Sequence, residues 1–279
     1  MAIRSPKIHG LCLVKDETDI IAECLRSAAR WCDAMYVLDN GSEDGTWEKV
    51  QRLAREIPAV VPFKQDPTPY SEAFRGEIFE RYRHLSEDGD WWCRLDADEF
   101  YIDDPKAFLA AVPAQFDLVW SASFQYYFTD VDLDRWAADP AVFADDAPVE
   151  AKCRHFLLNW SEPRFHRYRS DLVWRPGGWP GPLGPSYGKR IRLKHFQYRS
   201  PEQIQKRLAT RKNTESFSHE MVLGWKDWIQ SGAPQGANIG ATKTPPWEDR
   251  VLDSRLLTFD DGAQAYEVDE SRLPPITDL

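Results

Sequence analysis

The 279-residue chain has no excess of positive charge, no Cys-x-x-Cys pair and no long apolar run, and each shortfall narrows what it can be. Lys plus Arg number 35 against 45 Asp plus Glu, a net charge of −10. That balance lacks the basic field of a nucleic-acid binder. A nucleotide ligand stays open, because a bound divalent cation can supply positive charge locally. The cysteines, Cys12, Cys24, Cys32, Cys93 and Cys153, are odd in number, and the first three fall at apolar positions. They are expected as reduced core residues of a cytoplasmic protein rather than a disulfide framework. The longest uncharged stretches are Trp228–Thr242, rich in Gly, Gln and Asn, and Leu118–Thr129, which carries polar residues inside it. Both fall short of the ~18 apolar residues that a membrane span needs. The start, Met1-Ala2-Ile3-Arg4-Ser5-Pro6, lacks the apolar segment of a signal peptide. The expected location is therefore cytoplasmic, without a transmembrane segment. Peripheral attachment at the inner membrane face stays open, although no clustered basic amphipathic helix points to it. Internal repeats and low-complexity tracts are missing as well.

What is present is ordinary globular composition, with 42% apolar and 29% charged residues. The length suits one large domain or two small ones, and a chain of this size buries a full core without staples. Twelve Trp, 14 Phe and 10 Tyr supply rings for the core and for stacking on flat bases and sugar faces.

The order of elements is legible in the first half. Ile8–Val14 is a run of strand formers. A helix follows, with Asp16 as its expected cap and Ile20, Ile21, Cys24, Leu25, Ala28, Trp31 and Cys32 on one face. Ala34–Asp39 is a second strand, and a second helix runs from about Thr46, with Ser42, Asp44 or Thr46 as its cap. Val60–Phe63 is a third strand. Strand–helix–strand–helix–strand in so short a stretch favours parallel strands joined by right-handed crossovers. The fold class is thus α/β, a mostly parallel doubly wound sheet with its ligand site at the carboxyl ends of the strands. A helix is expected from Tyr70 to about Leu85, strands at Trp91–Asp96, Leu118–Phe128 and Arg190–Gln197, and a helix at Pro201–Lys212. Residues 174–185 hold four Gly and four Pro in twelve positions, which predicts a long irregular loop, with Trp174 or Trp179 placed to stack on a sugar. Three parts are expected: 1–128 as a nucleotide-sugar-binding half, 129–230 as an acceptor-binding and catalytic half of the same domain, and 231–279 as an irregular C-terminal arm.

Two motifs carry chemistry. Asp96-Ala97-Asp98-Glu99 follows a buried strand, where an open α/β sheet binds ligand. Two carboxylates one small residue apart can share a hard cation, Mg²⁺ or Mn²⁺, and packing them together without one is unfavourable. Asp39, in Leu38-Asp39-Asn40-Gly41-Ser42-Glu43-Asp44-Gly45-Thr46, projects from the end of the second strand, suited to accept from a ribose hydroxyl or a base N–H.

Together with Val14-Lys15-Asp16-Glu17 after the first strand, these motifs resemble, in order and spacing, the family 2 glycosyltransferases of the GT-A fold. The resemblance covers about residues 8–128. Leu193-Lys194-His195-Phe196-Gln197-Tyr198-Arg199-Ser200 is similar to a C-terminal segment of a bacterial branch of that family. It implies an inverting hexosyltransferase using a nucleotide-diphosphate sugar, usually a UDP-sugar, with Mn²⁺ or Mg²⁺. It further implies that Asp39 contacts the uracil, Glu17 the nucleoside, and Asp96 the ribose or metal. Asp98 would hold the metal bridging the diphosphate, with His195 as a further ligand. Arg75 would lie near the donor, and Arg199, Lys206 or Arg207 would assist the leaving diphosphate. An inverting transfer needs a carboxylate base. Glu162 is the first candidate, with Asp130 and Asp132 as rivals. The acceptor class expected from similar bacterial enzymes is a glycan or a lipid-linked glycan of a surface polysaccharide. The alternatives are a nucleotidyltransferase, which would carry a Gly-rich basic loop after the first strand, a non-catalytic nucleotide- or sugar-binding module, and a metal-dependent phosphohydrolase.

Overall fold

The apolar run Ile8–Val14 forms strand β1, with every residue but Leu13 buried. It lies between β2 (Ala34–Asp39) and β4 (Trp91–Asp96), both parallel to it, and β3 (Val60–Gln65) pairs in parallel with β2. Central strands covered on both faces read as continuous apolar runs because neither face meets water. Here a computed structural model describes residues 4–211, 225, 226, 229, 244–263 and 265–279. Residues 231–243 of the expected C-terminal arm lie outside the described residues, as does most of the uncharged stretch Trp228–Thr242. No helix among the described residues is long and apolar enough to cross a membrane.

Helices α1 (Ile21–Ala28), α2 (Thr46–Glu56) and α3 (Ala73–Tyr82) make the crossovers. One face of the sheet packs Cys12, Val37 and Leu95 against Cys24, Leu25, Val50 and Leu53. The other packs Leu11, Tyr36, Leu38 and Trp92 against Phe74, Ile78 and Phe79. Each such side chain contributes roughly 1.5–3 kcal/mol by leaving water. The chain runs outward from β1 to β3, then returns to the opposite side of β1 as β4. That reversal creates a topological switch point at the carboxyl ends of β1 and β4.

Two expected caps are not caps. Helix α1 starts at Ile21 with no side-chain cap, and Asp16 instead sits in the left-handed region (φ 55°) with its carboxylate accepting from the Glu43 N–H at 2.9 Å. Helix α2 starts after Gly45, itself left-handed at φ 89°, without a side-chain cap bond. The polar side chains at both starts are spent on tying the two loops together.

Further along come β5 (Glu99–Tyr101), α4 (Pro105–Ala110), β6 (Leu118–Tyr127), α5 (Asp130–Ala138), α6 (Val149–Lys152), β7 (His155–Trp160) and β8 (Pro163–Arg167). The two-residue strands β9 (Val173–Trp174) and β10 (Pro180–Gly181) precede β11 (Ile191–His195), α7 (Pro201–Arg211) and β12 (Thr258–Phe259). The chain divides into two units, one of residues 1–124, 158–195 and 266–279, the other of 125–157 and 196–265.

In the first unit β8 lies antiparallel to β4 and pairs on its far side with Leu118–Trp120 of β6, while β5 and β11 pair antiparallel. The Gly/Pro-rich stretch is not wholly irregular, since β9 and β10 pair within it. Trp179 is buried against Leu118 and Trp120 with the Arg94 guanidinium 4.6 Å from its ring centre, a core position rather than an open stacking platform. Trp174 packs on Phe79.

In the second unit Tyr126 packs between Phe156 and Phe196, and its hydroxyl donates to Asp260. Strand β12 pairs antiparallel with β7. All five cysteines are buried and free.

Candidate active site at the carboxyl ends of the parallel strands

Register fixes the site. Asp39 stands opposite Val14, and Asp96 opposite Leu13, so the two carboxylates end strands on either side of β1 at nearly the same level. Two interstrand spacings separate them, about 10 Å, the reach from a nucleoside base to its phosphates.

Asp39 is fully buried, and its Oδ1 accepts from the Ser42 N–H at 2.7 Å and from Gln65 Nε2 at 3.2 Å. Its Oδ2 is buried with no hydrogen-bond partner, an uncompensated acceptor of the kind a ligand N–H would satisfy. Glu17 is buried in the loop after β1.

Asp96, expected near the ribose or the metal, is held by two arginines: Arg75 Nη2 bonds its Oδ1 at 2.8 Å and Arg164 Nη1 its Oδ2 at 2.7 Å. Burial works against the Asp96 charge, but Arg164 and Arg75 outweigh it and keep the carboxyl below the usual carboxylate range. Arg75 is in turn held by Glu72 and Tyr70, and Glu72 also bonds Arg94.

Arg164 is the hub. Fully buried on β8, it bonds Asp96 through one nitrogen, and Glu99 and Glu162 through the other. Burial disfavours its charge, and the carboxylates of Glu162, Glu99 and Asp96 more than offset that.

Glu162 Oε1 accepts from Trp160 Nε1 and from Arg164, each at 2.7 Å. Both bonds fall on the same oxygen of a side chain that is 30% exposed.

The β5–β11 pairing sets His195 opposite Glu99 and brings His195 Nε2 to 3.3 Å from Asp98 Oδ2. A carboxylate and an imidazole are the groups here that could hold a divalent cation. Among the described residues no three His, Cys, Asp or Glu side chains converge as a metal cluster. That is ordinary for cations completed by substrate phosphates and water.

The remaining sequence candidates lie in the second unit and have other occupations. Asp132 forms the capping box of α5 with Thr129 and also bonds Arg135. Asp130 Oδ1 accepts from the N–H groups of Val131 and Ser254. Arg199 is fully buried and donates to the Phe196 carbonyl at 2.7 Å. The first unit thus brings together Glu17, Asp39, Arg75, Asp96, Asp98, Glu162 and His195. Sequence reasoning missed Glu72, Arg94 and Arg164 as parts of the site. The available signal was charge inside otherwise buried segments: Arg94 in Trp91–Asp96 and Arg164 in Pro163–Arg167.

A parallel β3–β2–β1–β4 sheet, helices on its faces and carboxylates at its switch point define a Rossmann-like α/β protein of the GT-A arrangement. No protein-family model matches the chain, and no curated protein matches it. Among solved structures it is similar to a mannosyltransferase from Pyrobaculum calidifontis in complex with GDP-Man and Mn²⁺. That match has 17% identity and a TM-score of 0.34 over 48% of this chain and 38% of the other. It is also similar to S. aureus TarS, residues 1–349, with 11% identity and a TM-score of 0.38 over 75% of this chain and 66% of that one. A third likeness is to a mycobacterial protein, with 15% identity and a TM-score of 0.30 over 74% of each chain. The chain spans well under half the length of the mannosyltransferase.

Proposed function

We propose that the chain is a metal-dependent glycosyltransferase that moves a sugar from a nucleotide-diphosphate donor, a UDP-sugar in the first instance, to an acceptor hydroxyl with inversion. One observation carries the reading. The Arg164 guanidinium joins Asp96, Glu99 and Glu162 beside the Asp98–His195 pair, gathering three distant sequence motifs at the switch point of the sheet.

Asp98 and His195 would hold the cation, and an imidazole in the donor set favours Mn²⁺ over Mg²⁺. When bound, the cation offsets the negative charge of the leaving diphosphate. Asp39 Oδ2 accepts from a base N–H, and Glu17 lies against the nucleoside. Glu162 Oε2 takes the proton of the acceptor hydroxyl as its oxygen bonds the sugar C1. The bond from C1 to the β-phosphate oxygen breaks, and its electron pair leaves with the nucleoside diphosphate. Glu162 is preferred to Asp130 and Asp132 because Arg164 ties it directly to Asp96 and Glu99, whereas Asp132 is spent on Thr129 and Arg135 and Asp130 on the Val131 and Ser254 N–H groups. The acceptor in this reading is a glycan or lipid-linked glycan, and the work is done in the cytoplasm or at its membrane face.

The loop after β1 counts against a nucleotidyltransferase. The N–H groups of Asp16, Glu17 and Thr18, which could have cradled a triphosphate, are consumed by side chains of Ser42, Thr46 and Asp44.

Calorimetric titration of UDP with Mn²⁺, with EDTA, and into Asp98→Ala tests the reading. Binding that needs both the cation and Asp98 is expected. Binding indifferent to both would sink the metal assignment, and failure of UDP, GDP and dTDP alike would sink the donor site.

A further inference from the structure

The loops after β1 and β2 are stitched by side chains, which take three consecutive N–H groups of the first loop. Ser42 Oγ accepts from the Asp16 N–H at 2.8 Å, Thr46 Oγ1 from the Glu17 N–H at 3.0 Å, and Asp44 Oδ2 from the Thr18 N–H at 3.2 Å. Asp16 returns the bond, accepting from the Glu43 N–H, and Lys15 Nζ donates to the Asn40 carbonyl at 2.9 Å. The Thr46 hydroxyl is itself oriented, since it donates to Asp44 Oδ1 while accepting from Glu17. Ser42 has a second task, its N–H bonding Asp39 Oδ1.

Such an arrangement does more than close two turns. Asp16 is held at positive φ, a conformation that a residue with a Cβ keeps only where its surroundings dictate it. The three consecutive N–H groups precede α1 and would otherwise recruit an anion or water. Every one of them is instead fixed by a side chain from the neighbouring strand's loop, and the same small network holds the Glu17 N–H at one end and Asp39 Oδ1 at the other.

We infer that Thr46, Ser42 and Asp44 are positioning residues for nucleoside recognition: they set the backbone of Asp16–Thr18 before any ligand arrives, so that Glu17 and Asp39 meet the nucleoside already in place. This rests on the proposed donor site. It assigns to the second motif a task beyond turn formation and helix capping. The binding cost of ordering the loop is met during folding, which is the general advantage of preorganisation.

The test is calorimetric titration of UDP, with Mn²⁺ present, into the full chain and its variants. Thr46→Val keeps the shape but removes both the acceptor and the donor, leaving the buried Glu17 N–H unpaired. It is expected to raise Kd about tenfold. Thr46→Ser restores the hydroxyl and should bind within twofold of the unchanged protein. Should Thr46→Val fold poorly, Ser42→Ala, at a half-buried position, is expected to weaken binding severalfold by freeing the Asp16 N–H. Wild-type affinity in a folded Thr46→Val, or in Ser42→Ala where Thr46→Val does not fold, would overturn the inference while leaving the donor site intact. If the unchanged protein binds none of UDP, GDP or dTDP, the donor site falls and this inference falls with it.

Discussion

Replacing Arg164 with methionine is the sharpest perturbation of the site, because three carboxylates share that one guanidinium. The cost depends on how buried each partner is. The side chains of Asp96 and Glu162 are 31% and 30% exposed, so water screens them, and Asp96 keeps Arg75 while Glu162 keeps the Trp160 N–H. Glu99 is 0% exposed, burial pushes its pKa well above the usual carboxylate range even beside Arg164, and without that cation the group is left buried and unpaired. Breaking such a pair by removing one partner costs about 3–5 kcal/mol, and Glu99 should account for most of it. Urea denaturation of Arg164→Met should therefore show a loss in that range, with a fall in Tm on the order of 10 °C. Adding Glu99→Gln to Arg164→Met should recover about 2–3 kcal/mol, a coupling that a double-mutant cycle isolates. If Arg164→Met costs under about 1 kcal/mol, or if the double variant is as unstable as the sum of the singles, the hub is not what holds these carboxylates.

Two further outcomes concern pH and the backbone. His166 is fully buried with neither ring nitrogen hydrogen-bonded, and burial pushes its pKa down to about 3; burial likewise lowers His9, whose pKa falls to about 4. Both fold as neutral rings, whereas in the unfolded chain they protonate near pH 6.5, so stability is full above that pH and is lost as pH falls toward 4 and 3. Between pH 6.5 and 5 each should cost about 2 kcal/mol, and His166→Phe should remove about half of the combined slope; an unchanged slope would refute the assignment. Gly41 has φ 75°, and a Cβ there would stand 2.7 Å from the Pro67 Cα. Gly41→Ala should accordingly lose about 2 kcal/mol or more in thermal denaturation, and a neutral result would mean that the segment bearing Pro67 yields freely.

The parallel strands were legible in the sequence because strands buried on both faces must be apolar throughout, and their carboxylate ends stood out as abrupt changes from apolar to acid. Asp39 and Asp96 could thus be placed at strand ends from the pattern alone. What each would bond could not. The hydrogen-bond partners of Asp96, Arg75 and Arg164, come from a helix and an antiparallel strand whose pairing leaves no periodic mark. Asp16 presents the composition of a helix cap and performs a different task for the same reason: its partner, the Glu43 N–H, belongs to another loop. Local chemistry predicts local bonds, and this site is built mostly from bonds between segments far apart in the chain. Trp179 is a similar case. The Gly and Pro around it do forbid long regular structure, but Leu118 and Trp120 give its ring an apolar wall that spacing could not reveal.

The β5–β11 pairing has a consequence for how this chain tolerates change. Asp98 and His195 meet because His195 is in phase with Glu99, and a slip of one residue would set Lys194 or Phe196 there instead. Their meeting is indifferent to the amount of chain between them. Insertions and deletions in the connecting loops should leave the pair intact whenever strand phase is kept, while a single residue added inside β5 or β11 should separate it. Natural variation in length is thus expected to gather between these strands and to stop abruptly at their borders.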